Sequence, residues 1–548
     1  MESAPNYLYK TKPYKHQEEA VYKCYPFPAF ALFMEQGTGK TKTDIDLSVN
    51  LFKEGVINAV LLIAPSGVQE QWADKELPKH HPDSVPYVAY VWDGISSQRN
   101  KKAVWDIVYN KKDALVWFCV NVEAFSSDSA ISIFKEFVKN HKTHIIVDEA
   151  TTIKNPDARR SLNIIHGLSA LSYMGKRLTK IAPLSVRRSI LTGTMVTNSP
   201  YDIWNMFEFL EPGFFGMDFF SFKMRYGIER KMSVPGTSRS FYRKIKKSEI
   251  DSVHGYHKIG KSVEDIAAIM SIAESSVRFL LDNPHIRAPY KNLEQLKAKI
   301  APVSVIVKKS DCLDLPPKIY EELRVTMSVD QARVYKEMKR ELFSEYEGRE
   351  LTALNKISLI LRLQQITGGF FPCTNPEDDS KELVPIGKTN PKIEALISNM
   401  DECADRPVII SARFTSEVLA LRNTLRERLE DERVECIYGN TPIAERRELR
   451  DAFERNEIDI FIVSPLLVRR GFNFQNCHIM YLYSNDYSLE TREQLEDRIH
   501  RDGQLSNTIV YKDIIMKGTV DEQVLAILRD KRDLLEYMRE ASLEAFLG

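Results

Sequence analysis

Two glycines followed directly by a lysine and a threonine stand in the run Phe33-Met34-Glu35-Gln36-Gly37-Thr38-Gly39-Lys40-Thr41, a pattern suited to gripping phosphate. Glycines let backbone N–H groups approach phosphate oxygens, and a helix opening at Lys40 adds the positive potential of its N-terminus. The Lys40 ammonium can then reach β- and γ-phosphates, and the Thr41 hydroxyl can ligate Mg²⁺. Gly37, Thr38, Gly39, Lys40 and Thr41 are therefore candidate ATP ligands. Met34 stands where the usual eight-residue pattern begins with glycine, so the run alone is an incomplete match.

A second element completes the chemistry. The apolar run His144-Ile145-Ile146-Val147 ends in Asp148-Glu149, and a strand that delivers two acids to its C-terminal edge supplies what phosphoryl transfer to water requires. Asp148 is the candidate Mg²⁺ holder and Glu149 the candidate base for the attacking water. A solvated helix cap is the plainer reading of a lone Asp-Glu pair, and the upstream phosphate loop argues against it. Far along the chain, Arg498 and Arg501 are three residues apart, a spacing that puts both guanidinium groups on one helix face. They are candidate arginine fingers, with an ion-pair network to Glu493, Glu496 and Asp497 as the alternative.

Elements must carry these groups. Short β-branched or apolar runs recur at Ala59–Ala64, Ala114–Val120, His144–Val147 and Ser189–Leu191, then at Pro407–Ser411, Val434–Tyr438, Ile458–Val463 and His478–Tyr483, with helical segments between. Strands alternating with helices predict an α/β protein with two parallel-sheet lobes. The lobes are expected at 1–213 and 311–548, meeting around an ATP·Mg²⁺ cleft, and residues 214–310 are expected to form a basic, helical insertion, with no strand pattern after Lys247. Arg225 to Lys247 holds eight basic residues and one acid, Glu229. At about 262–282 the pattern predicts two short helices and a tight turn, a helix-turn-helix. Ser262 is the expected N-cap, and Ile266, Met270, Val277 and Leu280 the shared core. Ser275, Ser276 and Arg278 would face a DNA groove, and Arg243, Lys244, Lys246 and Lys247 would lie on phosphates. A helical spacer is the alternative. The stretch from Val520 to Leu547 predicts an amphipathic helix.

Composition bounds the partners. With 548 residues, more than one core is expected. Lys plus Arg and Asp plus Glu both number 76, which excludes a polycation, so a polyanion must meet a local basic patch. Seven scattered cysteines without a CxxC pair suggest neither a disulfide framework nor a zinc knuckle. No apolar run is long enough for a membrane span, and a cytoplasmic location is expected.

The motifs together resemble the SWI/SNF type of superfamily-two helicase-like ATPases, collinearly over most of the chain. Pro13-Tyr14-Lys15-His16-Gln17 resembles the adenine-reading Q motif, with Gln17 as the base contact. Leu62-Ile63-Ala64-Pro65-Ser66 with Gln71-Trp72 resembles motif Ia, and Asp148 to Asn155 resembles DEAH-x-IKN, with Thr151 in place of His. Leu191-Thr192-Gly193-Thr194 with Asn198 resembles motif III, where Met195 replaces a usual Pro. Leu315-Pro316-Pro317-Lys318 is similar to the LPPK linker and Leu361 to Gln365 to the LRQ helix. Ile409-Ile410-Ser411 resembles motif IV. Ser464 with Arg470-Gly471-Phe472-Asn473 resembles motif V, with Arg470 replacing a glycine. Arg498 to Gln504 resembles RxHRxGQ, motif VI. The resemblance implies ATP and Mg²⁺ as cofactors, Gly471 on the nucleotide side, and Pro65, Ser66, Thr192, Thr194, Ser411 and Ser464 as DNA contacts. It implies that the two lobes are RecA-like and that the protein translocates along double-stranded or branched DNA. Without bromodomain-like, chromodomain-like or long basic flanks, a bacterial or bacteriophage enzyme of replication, recombination or repair is the expectation. Removal of proteins from DNA, an ATP-gated DNA-binding regulator and a motor subunit of a restriction complex are the rivals.

Overall fold

The computed structural model describes residues 7–547 except 95–97, 111–112, 166–180, 234–239, 285–288, 345–352, 375–380, 403–406, 430–432 and 469–471. The chain divides into two compact units, Met1–Cys312 with Asp533–Gly548 and Leu313–Arg532.

The first unit contains β1 (Ala29–Met34), β2 (Ala59–Ala64), β3 (Tyr87–Val91), β4 (Leu115–Asn121), β5 (Thr143–Asp148), β6 (Arg187–Thr192), β7 (Glu229–Ser233), β8 (Ser240–Lys244) and β9 (Ser304–Val307). Seven of them form one sheet in the order β3-β4-β2-β5-β6-β1-β9, every neighbour parallel. β2 and β5 are buried at all positions, because a parallel strand covered on both faces loses the inside–outside alternation. β3 is one edge strand and is half exposed, which is why its YVAYV run carries a weak signal.

The expected basic, helical insertion also carries strands. β7 and β8 pair as an antiparallel hairpin there, and β9 joins the main sheet beside β1. Arg230, Arg243 and Lys244 are half-buried there while Phe241 and Tyr242 are exposed, so no apolar-in, polar-out alternation marks the pair. Three helices follow, Lys247–Lys258, Val263–Met270 and Glu274–Asp282. Ile250, Val253, Ile266, Met270, Val277 and Leu280 pack into one small core with Ile228 and Ile245 from the hairpin's base. Ser262 caps the second helix by accepting from the Asp265 N–H, and Ser271 turns the chain at φ 53°.

The second unit contains β10 (Lys318–Val325), β11 (Phe370–Thr374), β12 (Lys381–Pro385), β13 (Val408–Ser411), β14 (Val434–Ile437), β15 (Ile460–Val463), β16 (Ile479–Leu482) and β17 (Ile509–Met516). Its sheet runs β10-β17-β16-β13-β15-β14, all parallel, with β11 and β12 a separate antiparallel pair. Successive residues of each strand point to opposite faces. Val408 and Ile410 therefore enter one core with Ile460, Ile462 and Tyr481, while Ile409 enters another with Phe461, Val463 and Met480. The expected amphipathic helix spans Val520–Leu547, with Val524 and Leu528 buried. Among the described residues no helix is long and apolar enough to cross a membrane.

Candidate functional site

β1 ends at Met34, the loop follows, and the helix Lys40–Lys53 begins at Lys40. Gly37 and Gly39 hold φ of 88° and 93°, the left-handed region that glycine enters without strain. A Cβ at Gly39 would lie 2.1 Å from Gln17 Nε2, so the loop also needs a bare backbone there. The Thr38 N–H and hydroxyl both donate to the Glu35 carbonyl, at 3.2 and 2.7 Å, and close the turn. Lys40 Nζ donates to the Met34 carbonyl at 2.9 Å, arching back over the loop, and Thr41 is half-buried. Gln17 is buried: its Oε1 accepts from the Tyr14 N–H at 3.1 Å and its Nε2 donates to the Thr38 carbonyl at 3.1 Å. His16 Nε2 lies 2.7 Å from the same carbonyl. Gln17, expected as a base contact, is thus engaged in bracing the phosphate loop.

The strand order β5-β6-β1 brings the acid pair and the loop to one sheet edge, with only the end of β6 between them. Asp148 is buried. Its Oδ2 accepts from Trp72 Nε1 at 2.8 Å and its Oδ1 from the Glu149 N–H at 2.9 Å, which fixes both oxygens. Glu149 stands at φ 52°, ψ 59°, a left-handed conformation rare for a residue with a Cβ and frequent at functional positions. Trp72, the second residue of the Gln-Trp pair, was legible only as part of a motif; its indole N–H on Asp148 is what the fold adds. Gly193 lets the end of β6 pass close to the loop, since a Cβ there would sit 3.4 Å from the Gln36 nitrogen. Thr192 and Thr194, the expected DNA contacts, are buried, and the Thr192 hydroxyl accepts from the Thr194 N–H at 3.1 Å. Asp202 Oδ2 accepts from the Thr197 hydroxyl and the N–H groups of Thr197 and Asn198, and Lys154 Nζ donates to the same hydroxyl. Pro65 is buried and Ser66 exposed.

Behind the loop a polar chain crosses the core. The hydroxyl of Ser48 lies 3.0 Å from His144 Nδ1, His144 Nε2 lies 2.7 Å from Ser189 Oγ, and Ser189 Oγ donates to Asp44 Oδ1 at 3.3 Å. All four side chains are buried. Burial pushes the Asp44 carboxyl up to about 7 and the His144 imidazole well below its usual range. A neutral His144 carrying its proton on Nε2 satisfies every link of this chain.

In the second unit the helix Leu489–Glu496 ends before both candidate arginines, which corrects the expectation of a shared helix face. Arg498 is buried, and its Nε and Nη1 donate to the carbonyls of Gln494 and Phe472 at 3.1 and 3.2 Å. Its guanidinium joins the motif V and motif VI segments. Arg501 is half-buried in the turn that follows, which is completed by Gly503 at φ 90°. Glu496, read as a surface partner in the alternative, is buried. Arg492, Lys318 and Arg532 approach it at 2.6, 3.2 and 2.9 Å, and these cations hold its carboxyl far below the ordinary range despite burial. Ser411 is buried and Ser464 half-buried, while Gly471 lies outside the described residues.

On the insertion, Ser275 and Arg278 are exposed, but Arg278 pairs with Glu264 at 3.1 Å and Glu274 at 3.7 Å. Ser276 is buried and accepts from Lys291 Nζ at 2.9 Å, which corrects its groove-facing placement. Arg243 and Arg230 both grip Glu249 at 2.6 Å, and Lys244 donates to the Tyr290 hydroxyl at 2.8 Å. Of the three phosphate candidates whose side chains are described, Arg243, Lys244 and Lys246, only Lys246 is exposed.

An SNF2-related domain family matches residues 27–368, and the helicase conserved C-terminal domain matches residues 391–503. The chain is 22% identical over 519 residues to the rat SWI/SNF-related matrix-associated actin-dependent regulator of chromatin subfamily A containing DEAD/H box 1, covering 92% of this chain and 47% of that protein. It is 22% identical over 508 residues to an uncharacterized ATP-dependent helicase, MG018, of Mycoplasma genitalium, covering 92% of this chain and 39% of that one. The chain spans about half or less of the length of these curated relatives. Among solved structures, a Sulfolobus solfataricus SWI2/SNF2 ATPase core in complex with dsDNA aligns with 20% identity and a TM-score of 0.37, covering 99% of this chain and 96% of that one.

Proposed function

The chain belongs to the SNF2-related family, with its helicase C-terminal domain, and from that premise we propose an ATP-hydrolysing motor that moves along double-stranded DNA. One observation carries the chemistry: the Gly37–Thr41 loop and the Asp148–Glu149 pair meet on a single sheet edge, with Asp148 oriented by Trp72. The residues fit ATP·Mg²⁺. The two left-handed glycines leave a cradle that a side chain would fill, and Thr41 and Asp148 offer the oxygen donors that Mg²⁺ takes. Bound Mg²⁺ supplies neutralising charge to the β- and γ-phosphate oxygens.

The remaining work falls to the protein. Lys40 balances γ-phosphate charge, and Glu149 orients a water and takes its proton as the water oxygen bonds to the γ-phosphorus. The bond to the bridging oxygen breaks and ADP leaves with that oxygen. Of the two candidate arginine fingers in the second unit, Arg501 is half-buried and Arg498 buried, which favours Arg501 for that role. Gripping backbone phosphates makes movement sequence-independent and salt-sensitive. Forks and branched DNA in a bacterial or phage-infected cell are the setting we infer.

The test is the steady-state ATPase rate at fixed low salt, first without nucleic acid and then with single-stranded DNA, duplex DNA, a four-way junction and RNA. Duplex or junction DNA is expected to stimulate strongly over RNA. A flat, near-zero rate on every substrate overturns the motor reading.

A further inference from the structure

We infer that the face built by the helix Phe219–Tyr226 and the hairpin β7–β8 is a separate nucleic-acid site, which stacks an unpaired DNA base on Phe220 and Tyr242 and holds neighbouring phosphates with Lys223 and Lys231. The site deepens the DNA-motor reading and takes DNA as its partner from it.

The aromatic residues of this helix have two fates. Phe219 turns toward Trp204, with centroids 5.3 Å apart, and Phe222 packs on Phe215 and Tyr226 at 4.7 and 4.6 Å. Phe215, Phe222, Tyr226 and Trp204 are buried, and Phe219 is half-buried. Phe220 points the other way and is 49% exposed, and Tyr242 on β8 is 41% exposed. Their rings meet edge to face, centroids 5.4 Å apart at 70°, which leaves ring surface open to a third planar group.

Charge decides what that group belongs to. Lys231 pairs directly with Tyr242 across the hairpin, on the same face, and is exposed. Lys223 Nζ lies 5.0 and 6.0 Å from the rings of Phe219 and Phe220. The nearby acids are already engaged. Tyr201 donates to Glu229 at 2.7 Å, Arg230 and Arg243 grip Glu249, and Asp218 caps the helix by accepting from the Ser221 N–H at 2.7 Å. A basic surface with open aromatic rings fits a polyanion that displays flat π-faces. Duplex DNA keeps its base faces stacked inside, so an unpaired strand is the partner.

The experiment uses the full chain without ATP and oligo(dT) carrying 2-aminopurine, read by fluorescence quenching and anisotropy. Wild type is expected to quench the probe. Phe220→Ala with Tyr242→Ala should weaken binding by roughly tenfold or more, as losing a stacked base does. Duplex-stimulated ATPase should be kept, which also reports that the fold is intact. Phe220→Tyr with Tyr242→Phe should restore binding and quenching, and Lys223→Ala with Lys231→Ala should flatten the salt dependence. Equal oligo(dT) affinity in the double alanine variant overturns the inference, as does displacement of oligo(dT) by poly-glutamate at matched charge. Failure of duplex DNA to stimulate wild-type ATPase would instead sink the motor reading, while quenching of the probe would still support this site.

Discussion

Glu149 occupies a left-handed backbone that costs a residue with a Cβ about 1–3 kcal/mol, and the surrounding structure must hold it there. That backbone follows directly on an Asp148 whose two oxygens are already fixed. Glu149→Gln is expected to bind ATP and lose hydrolysis; wild-type turnover would take the base assignment away from it. Trp72→Phe keeps the buried ring and removes only the indole donor to Asp148. It should lower kcat by roughly tenfold, as loss of a hydrogen bond to a charged group does, with little change in melting temperature. Arg501→Ala should reduce kcat by about 10²-fold, and unchanged turnover would end its finger role. The Gly-rich loop and the acid pair were legible because each is a contiguous run with its own chemistry. The Trp72 contact was not, because it joins residues 76 apart.

Elements are tied by buried charge. Glu496 sits among Arg492, Lys318 and Arg532, linking the helix Leu489–Glu496 to β10 and to the helix Val520–Leu547. Removing one member of a buried ion cluster leaves the others uncompensated. Glu496→Gln should therefore destabilise the protein by about 3–5 kcal/mol, measured by denaturant titration. In the first unit, Asp44 joins the helix Lys40–Lys53 to β5 and β6 through Ser189 and His144. Arg187 and Asp148 are the charged groups that act on it, and burial dominates, holding its carboxyl at about 7. An unfolded Asp titrates near 4. The folded state thus retains a proton that the unfolded chain has released, so this group's stabilisation is complete below about pH 4 and is lost as pH rises through about 7. Asp44→Asn should flatten that fall in stability; an unchanged pH–stability curve would contradict the raised carboxyl. Strand positions were readable where apolar runs filled them, and the hairpin β7–β8 was not, because its half-buried positions are mostly basic and its exposed ones include Phe241 and Tyr242. The helix end before Arg498 was equally hidden, since spacing alone cannot say where a helix stops.

At the scale of the molecule, each compact unit has its own parallel sheet and its own cores. A unit with a complete core folds without its neighbour. Residues 313–532, expressed alone, are therefore expected to unfold cooperatively in denaturant, and a broad, non-cooperative loss of structure would contradict the division. Net charge of zero conceals an uneven distribution, for eight of the 76 basic residues crowd into Arg225–Lys247. Tertiary structure then divides that run: Arg230 and Arg243 are bound to Glu249, Lys244 is packed against Tyr290, and Lys231 and Lys246 face solvent.

By itself the sequence determined the chemistry on offer and the α/β architecture, because a phosphate loop, an acid pair at a strand end and recurring apolar runs are local patterns with local physical causes. Only the tertiary structure decided which residues meet. It set Trp72 on Asp148, Gln17 on the phosphate loop, Arg498 inside a turn and Phe220 beside Tyr242. Contacts between residues distant along the chain depend on strand order and on which side chains burial leaves for solvent, and neither quantity is carried by any short run of residues.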